Sequence, residues 1–315
     1  MNSLSTLPRG SVSLLLVLSA LLAGPAWAAP AAASPSSEAP SDATATGHNA
    51  GSSVMLRNRM PPEQLEQQAA DQYQILLNAA SKEKRLLPDK NKSVQRVRLI
   101  ANKLIPYGLK WNEQSRQWHW EINVIDGRAI NALCLPGGKL VVTTGMLERM
   151  HLTDNELAML LGHEIAHALR EHARDRPASS AAPLTPRAVA QLFGLNNLGH
   201  PPPAATPLLA ATYTRDDETE ADVMGTEIAA RAGYDPRAAV SLWIKFDGVN
   251  RLARQAYVQA HPFDARRLVD LQKHMRDMLA LYARALGKPL GQLPAFQGVG
   301  YAASARRVAE QDNAD

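Results

Sequence analysis

His163, Glu164 and His167 form an H-E-x-x-H pattern in the run Leu161-Gly162-His163-Glu164-Ile165-Ala166-His167-Ala168-Leu169. On a helix, with roughly 100° per residue, the two histidines lie about 40° apart, so both imidazoles can face one metal ion. Glu164 falls about 60° from His167, within reach of a water on that ion. This is the geometry of a zinc hydrolase with Glu164 as general base. Catalytic zinc takes three protein ligands and keeps one position open. The best third candidate is Glu218, one helix downstream, with Asp222 four residues later on the same face. Asp222 suits the carboxylate that accepts the second N–H of a metal-bound histidine. The competing reading is a solvated acidic helix start, because Asp216, Asp217, Glu218 and Glu220 sit where the helix dipole favours negative charge.

The helix that must carry the motif has a clear beginning. Thr153 suits the N-cap, Glu156 completes a capping box, and Leu152 and Leu157 sit where a hydrophobic staple forms. Pro177 implies an end near Asp175. Leu157, Leu160, Leu161, Ile165, Ala168 and Leu169 form its core face, while Ala158, Gly162 and Ala166 leave room for a close neighbour. On a helix of that length His172 projects away from His163, which excludes it as a ligand of the same ion.

Upstream, residues 61–87 and 92–104 have helical composition and spacing. Residues 118–125 alternate as a strand, with His119 on the polar side. Residues 130–145 read as strand, Pro-Gly-Gly turn, strand. The edge of that hairpin could hold an extended peptide across the metal, which makes Pro136, Gly137 and Gly138 candidate substrate-binding residues. An ordinary hairpin covering the core is the alternative. Downstream, residues 177–212 are rich in Pro and Ala and read as a long mobile connection with one short helix (AVAQLFG), His200 being a loop histidine. Helices are expected over 215–231, ended by Gly233, from Asp235-Pro236 to about Val249, and from His261-Pro262 to about Leu286.

The chain has 315 residues, is 45% hydrophobic, and carries a net charge of +4. That composition is globular. Its basic residues are scattered without interleaved aromatics, so nucleic-acid binding is not indicated. Residues 1–28 read as a signal peptide: Arg9, an apolar stretch from Ser13 to Ala23, and Ala26-Trp27-Ala28 before the cut. Residues 29–60 read as a flexible linker containing an inert His48, 61–290 as the folded domain, and 291–315 as a tail. No anchor is expected in the mature chain, and association with a membrane is left open. Cys134 is the lone cysteine and reads as a small buried hydrophobe.

Five stretches make a family resemblance visible: NALCLPGGKLVVTTG from Asn131, LGHEIAHALREHAR from Leu161, TRDDETEAD from Thr214, GYDPRAAVSLW from Gly233 and HPFDARRL from His261. In this order the chain resembles metallopeptidase family forty-eight, the gluzincin family of the CAAX prenyl protease and the HtpX heat-shock peptidase, from about Trp120 to Leu271. Two departures are Thr214, where a Ser usually precedes the Arg, and the absence of the lipobox Cys of lipid-anchored relatives. The resemblance implies an α+β, mainly helical zincin-like fold with a small β-sheet or hairpin above the active-site helix. It implies one Zn2+ per chain on His163, His167 and Glu218, Glu164 as base, and Asp222 behind the ligands. It also draws in His261 and Arg267 as residues that stabilise the oxyanion. The function implied is an exported endopeptidase, in the periplasm of a Gram-negative bacterium, that hydrolyses unfolded or misfolded envelope or outer-membrane proteins. The alternative is a latent, zinc-stabilised chaperone or binding module whose site is covered by residues 177–212.

Overall fold

Three helices and a small sheet enclose the motif helix. The computed structural model describes residues 60–174, 185–199, 201, 208–252, 256–298 and 300. The expected leader, nearly all of the linker, His48, His200 and residues 301–315 of the tail lie outside them. Among the described residues no helix is long and apolar enough to cross a membrane.

The first helices are α1 (Pro62–Lys82) and α2 (Lys92–Gly108). Helix α1 stops five residues short of the expected 87 because Leu86 and Leu87 serve the sheet instead. Leu86 stands opposite Ile125 in an antiparallel bridge, and the Leu87 N–H donates to Val124 O at 3.0 Å. The sheet holds β1 (Glu121–Ile125), β2 (Ala132–Leu135) and β3 (Lys139–Thr143). Their order is β1-β3-β2, with β1 parallel and β2 antiparallel to β3. Between β2 and β3 the Gly138 N–H donates to Leu135 O, with Pro136 and the left-handed Gly137 at the middle positions of a type II turn.

The two outer edges differ. That of β1 is closed by residues 85–87 and by Arg98, whose Nε donates to Ile122 O. That of β2 has no strand beside it among the described residues. Asn131 O accepts the Thr143 N–H, so antiparallel alternation turns the backbone groups of Ala132 and Cys134 toward this open edge. Asn131 Oδ1 takes up the Ala132 N–H.

After a short α3 (Thr144–Arg149), α4 (Asp154–Leu169) carries the motif. Thr153 and Glu156 form the capping box, and every residue from Glu156 to Leu169 is buried. A helix enclosed on all sides needs a neighbour at each face. The closest is α6 (Arg215–Arg231), capped by Thr214 and Asp217 and ended by Gly233 with φ +81°. The two backbones meet at glycine on glycine: a Cβ on Gly162 would fall 2.5 Å from Gly225 O, and one on Gly225 would fall 2.5 Å from His163 N.

Helix α4 ends at Leu169, six residues before the expected Asp175. Glu171 adopts φ +52°, its N–H donates to Ala168 O, and the His172 N–H donates to His167 O. Those two bonds make a Schellman end with glutamate at the place usually held by glycine. Then come α5 (Pro186–Leu192), α7 (Ala238–Leu252), α8 (Ala256–Ala260) and α9 (Ala265–Ala285). Asp264 caps α9 by accepting the Arg266 N–H. His261 therefore does not open α9, as its Pro262 suggested; it closes α8, its N–H bonded to Tyr257 O at 2.8 Å.

The larger core lies between one face of the sheet and α2, α4, α6 and α7. On the other face, α1 packs with Val189, Phe193, Leu195, Leu208 and Leu209. These described parts of 177–212 are buried side chains of the core, not the loose connection that the Pro- and Ala-rich composition suggested.

Candidate active site

Helix α4 presents His163 and His167 on one side, and α6 crosses it so that Glu218 faces them. His163 Nε2 is 3.0 Å from His167 Nε2 and 3.1 Å from His261 Nδ1. Glu218 Oε1 is 3.4 Å from His167 Nε2 and 3.0 Å from His261 Nδ1, and its Oε2 is 3.6 Å from His163 Nε2. Zinc bonds of about 2.0–2.1 Å in a tetrahedron place ligand atoms roughly 3.3 Å apart. The four buried side chains have that spacing, and together they form a group suited to a metal ion. The rings support it chemically. Nδ1 of each α4 histidine faces another partner, so the two Nε2 lone pairs point at each other, which repels unless a cation lies between them. The donor set of imidazoles and one carboxylate suits Zn2+.

Behind the group, Asp222 Oδ1 stands 3.0 Å from His163 Nδ1, close to it though off the line of a straight hydrogen bond. Asp222 also accepts from Arg267 Nε at 2.7 Å, Arg267 Nη2 at 2.9 Å and Trp243 Nε1 at 3.0 Å. Arg267 Nη1 lies 2.6 Å from Glu218 Oε2, and its guanidinium covers the Trp243 ring at 3.7 Å. The sequence reading put Arg267 at the oxyanion. Its buried fork is instead engaged with the two carboxylates that back the ligands, and with Pro262 O.

His261 also departs from its expected place. It stands inside the donor group rather than across a substrate carbonyl, with Nε2 3.6 Å from Glu164 Oε1. Tyr257, one helical turn earlier, stacks on its ring at 4.4 Å and donates its hydroxyl to Glu164 Oε1 at 2.8 Å. Tyr213 lies over His167 with ring centres 3.8 Å apart. Neither tyrosine, nor Trp243, carries a local sequence signal, because each meets the site through packing of remote segments.

Electrostatics follow from burial. Desolvation pushes the Glu164 carboxyl above its usual range, against the pull of His261, His163 and the Tyr257 hydroxyl. Burial works to raise Glu218 too, but His261, the hydrogen bonds of His167 and His261, and Arg267 hold it well below the usual carboxylate range. Burial, then the neighbouring His163, lowers His167, which keeps it neutral as metal binding requires.

The Pro136-Gly137-Gly138 turn does not reach this group. It is buried, with a Cβ on Gly137 meeting Glu66 and one on Gly138 meeting Trp120. It is the opposite end of β2 that approaches: Asn131, Ala132 and Leu133 line a cavity of about 90 Å³ whose far wall is Leu208–Tyr213 and which reaches His261. Cys134 is buried and His119 exposed.

Comparison with known proteins adds to this geometry. The chain is 32% identical over 165 residues to mitochondrial metalloendopeptidase OMA1 of Arabidopsis thaliana, covering 52% of this chain and 33% of that one. It is 29% identical over 166 residues to a candidate beta-barrel assembly-enhancing protease of Vibrio cholerae, covering 49% of this chain and 34% of that one. It is 26% identical over 158 residues to metalloprotease YcaL of Escherichia coli, covering 48% and 59%. The chain thus spans between a third and three-fifths of the length of these relatives. The family model for peptidase family M48 matches residues 91–275, from the N-cap of α2 into α9, and the chain belongs to that family.

Proposed function

We propose that this chain is a zinc endopeptidase that acts on unfolded polypeptides of the cell envelope after export. The observation that carries the proposal is the position of Glu164, one residue from His163 on a helix buried from Glu156 to Leu169, with its carboxylate held beside the donor group by Tyr257. His163, His167 and Glu218 would hold the zinc, which would supply a Lewis acid for the scissile carbonyl and a water acidic enough to react near neutral pH. Glu164 Oε2, the oxygen that Tyr257 does not hold, takes a proton from the attacking water and returns it to the leaving amine. Asp222 and Arg267 hold the ligands in place. The substrate backbone runs along the open edge of β2, where main-chain pairing tolerates many sequences. That tolerance, the signal-like residues 1–28 and the two bacterial relatives support an envelope quality-control role. The mitochondrial relatives share the domain and speak less to location. The catalytic unit is read as residues 61–290.

One observation favours a latent resting form. With His261 the donor group has four protein side chains, the closed sphere of a structural site rather than the three-plus-one of a catalytic one. In this reading the His261 side chain withdraws from the donor group before water and substrate enter, while Tyr257 stays on Glu164, and latency lies with His261 more than with residues 177–212.

One experiment tests both readings. Cleavage of an unfolded model protein and zinc content are measured for the wild type, Glu164→Gln and His261→Ala. Glu164→Gln is expected to lower turnover by about 100-fold or more with zinc retained. His261→Ala is expected to raise it several-fold. Undiminished cleavage by Glu164→Gln sinks the peptidase mechanism, and a fall with His261→Ala sinks the latent form.

A further inference from the structure

We propose that His172 is a positioning residue for the ligand His167, a link in a chain His167–His172–Glu220–Arg170 that runs from the metal group to the surface. The proposal rests on His167 being a zinc ligand. The two ring Nδ1 atoms are 2.8 Å apart, His172 Nε2 is 3.0 Å from Glu220 Oε2, and Glu220 Oε1 is 2.7 Å from Arg170 Nε. Asp217 Oδ1 lies farther off, at 3.9 Å from His172 Nε2. The His172 ring is buried with 3% side-chain exposure, whereas Glu220 is 40% exposed.

The hydrogens follow from counting. His167 turns Nε2 to the metal group, so its proton sits on Nδ1 and needs an acceptor. The atom in reach is His172 Nδ1, which must be bare. The His172 proton is then on Nε2, where Glu220 receives it. The backbone makes the contact possible. With Glu171 left-handed, the chain folds back at the Schellman end, and the His172 N–H is bonded to His167 O at 3.1 Å. Ring and backbone of His172 thus both grip the same ligand. The two α4 ligands consequently have unlike supports: His163 faces a carboxylate neutralised by an arginine, and His167 faces an imidazole whose own partner reaches solvent.

The test uses zinc and the full-length protein. Zinc affinity is measured by competition with a chelator for the wild type, His172→Leu, Glu220→Ala and the double variant. His172→Leu is expected to weaken zinc binding about 10- to 100-fold. Glu220→Ala should weaken it less, and adding it to His172→Leu should weaken binding no further. In 15N-histidine-labelled, zinc-loaded wild type, nuclear magnetic resonance should detect coupling across an N–H···N bond from His167 Nδ1 to a bare His172 Nδ1. This measurement needs no variant, so it decides the matter even if His172→Leu fails to fold. Unchanged zinc affinity with only the metal-free melting temperature lowered would make His172 merely structural and overturn the proposal, as would a protonated His172 Nδ1. A wild type that binds no zinc, or His167→Ala that keeps it, overturns the ligand assignment itself.

Discussion

Asp222 is held by more partners than its position in the sequence suggests. Its spacing from Glu218 is legible because four residues on a helix return to one face. Its partners Arg267 and Trp243 are not, since they arrive from α9 and α7. Burial works to raise the Asp222 carboxyl, and Arg267 and His163 bring it below the ordinary range. A carboxyl so depressed stabilises the fold above the ordinary aspartate pKa, roughly pH 4, and the contribution is lost as pH falls through its folded value. Metal-free wild type is therefore expected to lose stability on acidification in a step that Asp222→Asn lacks. At neutral pH that variant should be about 3 kcal/mol less stable, because Arg267 loses one of its two buried carboxylate partners and keeps only Glu218. Denaturant midpoints across the acid range check both outcomes. His172 stands outside the donor group, as the sequence reading had it, but it touches His167, which the sequence did not suggest. Five residues past His167 on a continuing helix it points away, and only the left-handed Glu171 brings it back.

At the scale of elements, the start of α4 was readable and its end was not. Thr153 and Glu156 are a capping box in sequence and in structure, whereas a Schellman end with glutamate in place of glycine leaves no mark in the sequence. The same holds for α8 and α9: Pro262 suggested a first helical turn, but Asp264 two residues on is the cap, which leaves His261 just past the end of α8. The packing of α4 on α6 was half legible. Gly162, Ala158 and Ala166 announced a close neighbour, and Gly225 is where it touches. Gly225→Ala puts a methyl into the α4 backbone. It is expected to lower stability by about 1–3 kcal/mol and to weaken zinc binding as Glu218 moves away from α4. Thermal melting with and without zinc measures both effects.

For the whole molecule, composition had placed the chain among globular proteins, and the described residues are mainly helical with one three-stranded sheet. What composition could not convey is that the donor group ties α4, α6 and the end of α8 together, from His163 to His261. An ion bound there stabilises the folded state by linkage, about 2.7 kcal/mol at a hundredfold excess over its dissociation constant. For a domain of this size that is roughly 5–10 °C in melting temperature, so a chelator should lower the melting point by that amount and zinc should restore it. The sheet has a consequence of another kind. An exposed strand edge can pair with other chains and seed aggregation. Here β1 is sealed by residues 85–87, and the edge of β2 looks across a narrow cavity at Leu208–Tyr213. A polypeptide taken onto that edge would have a wall at its back, so no second polypeptide could stack on the first.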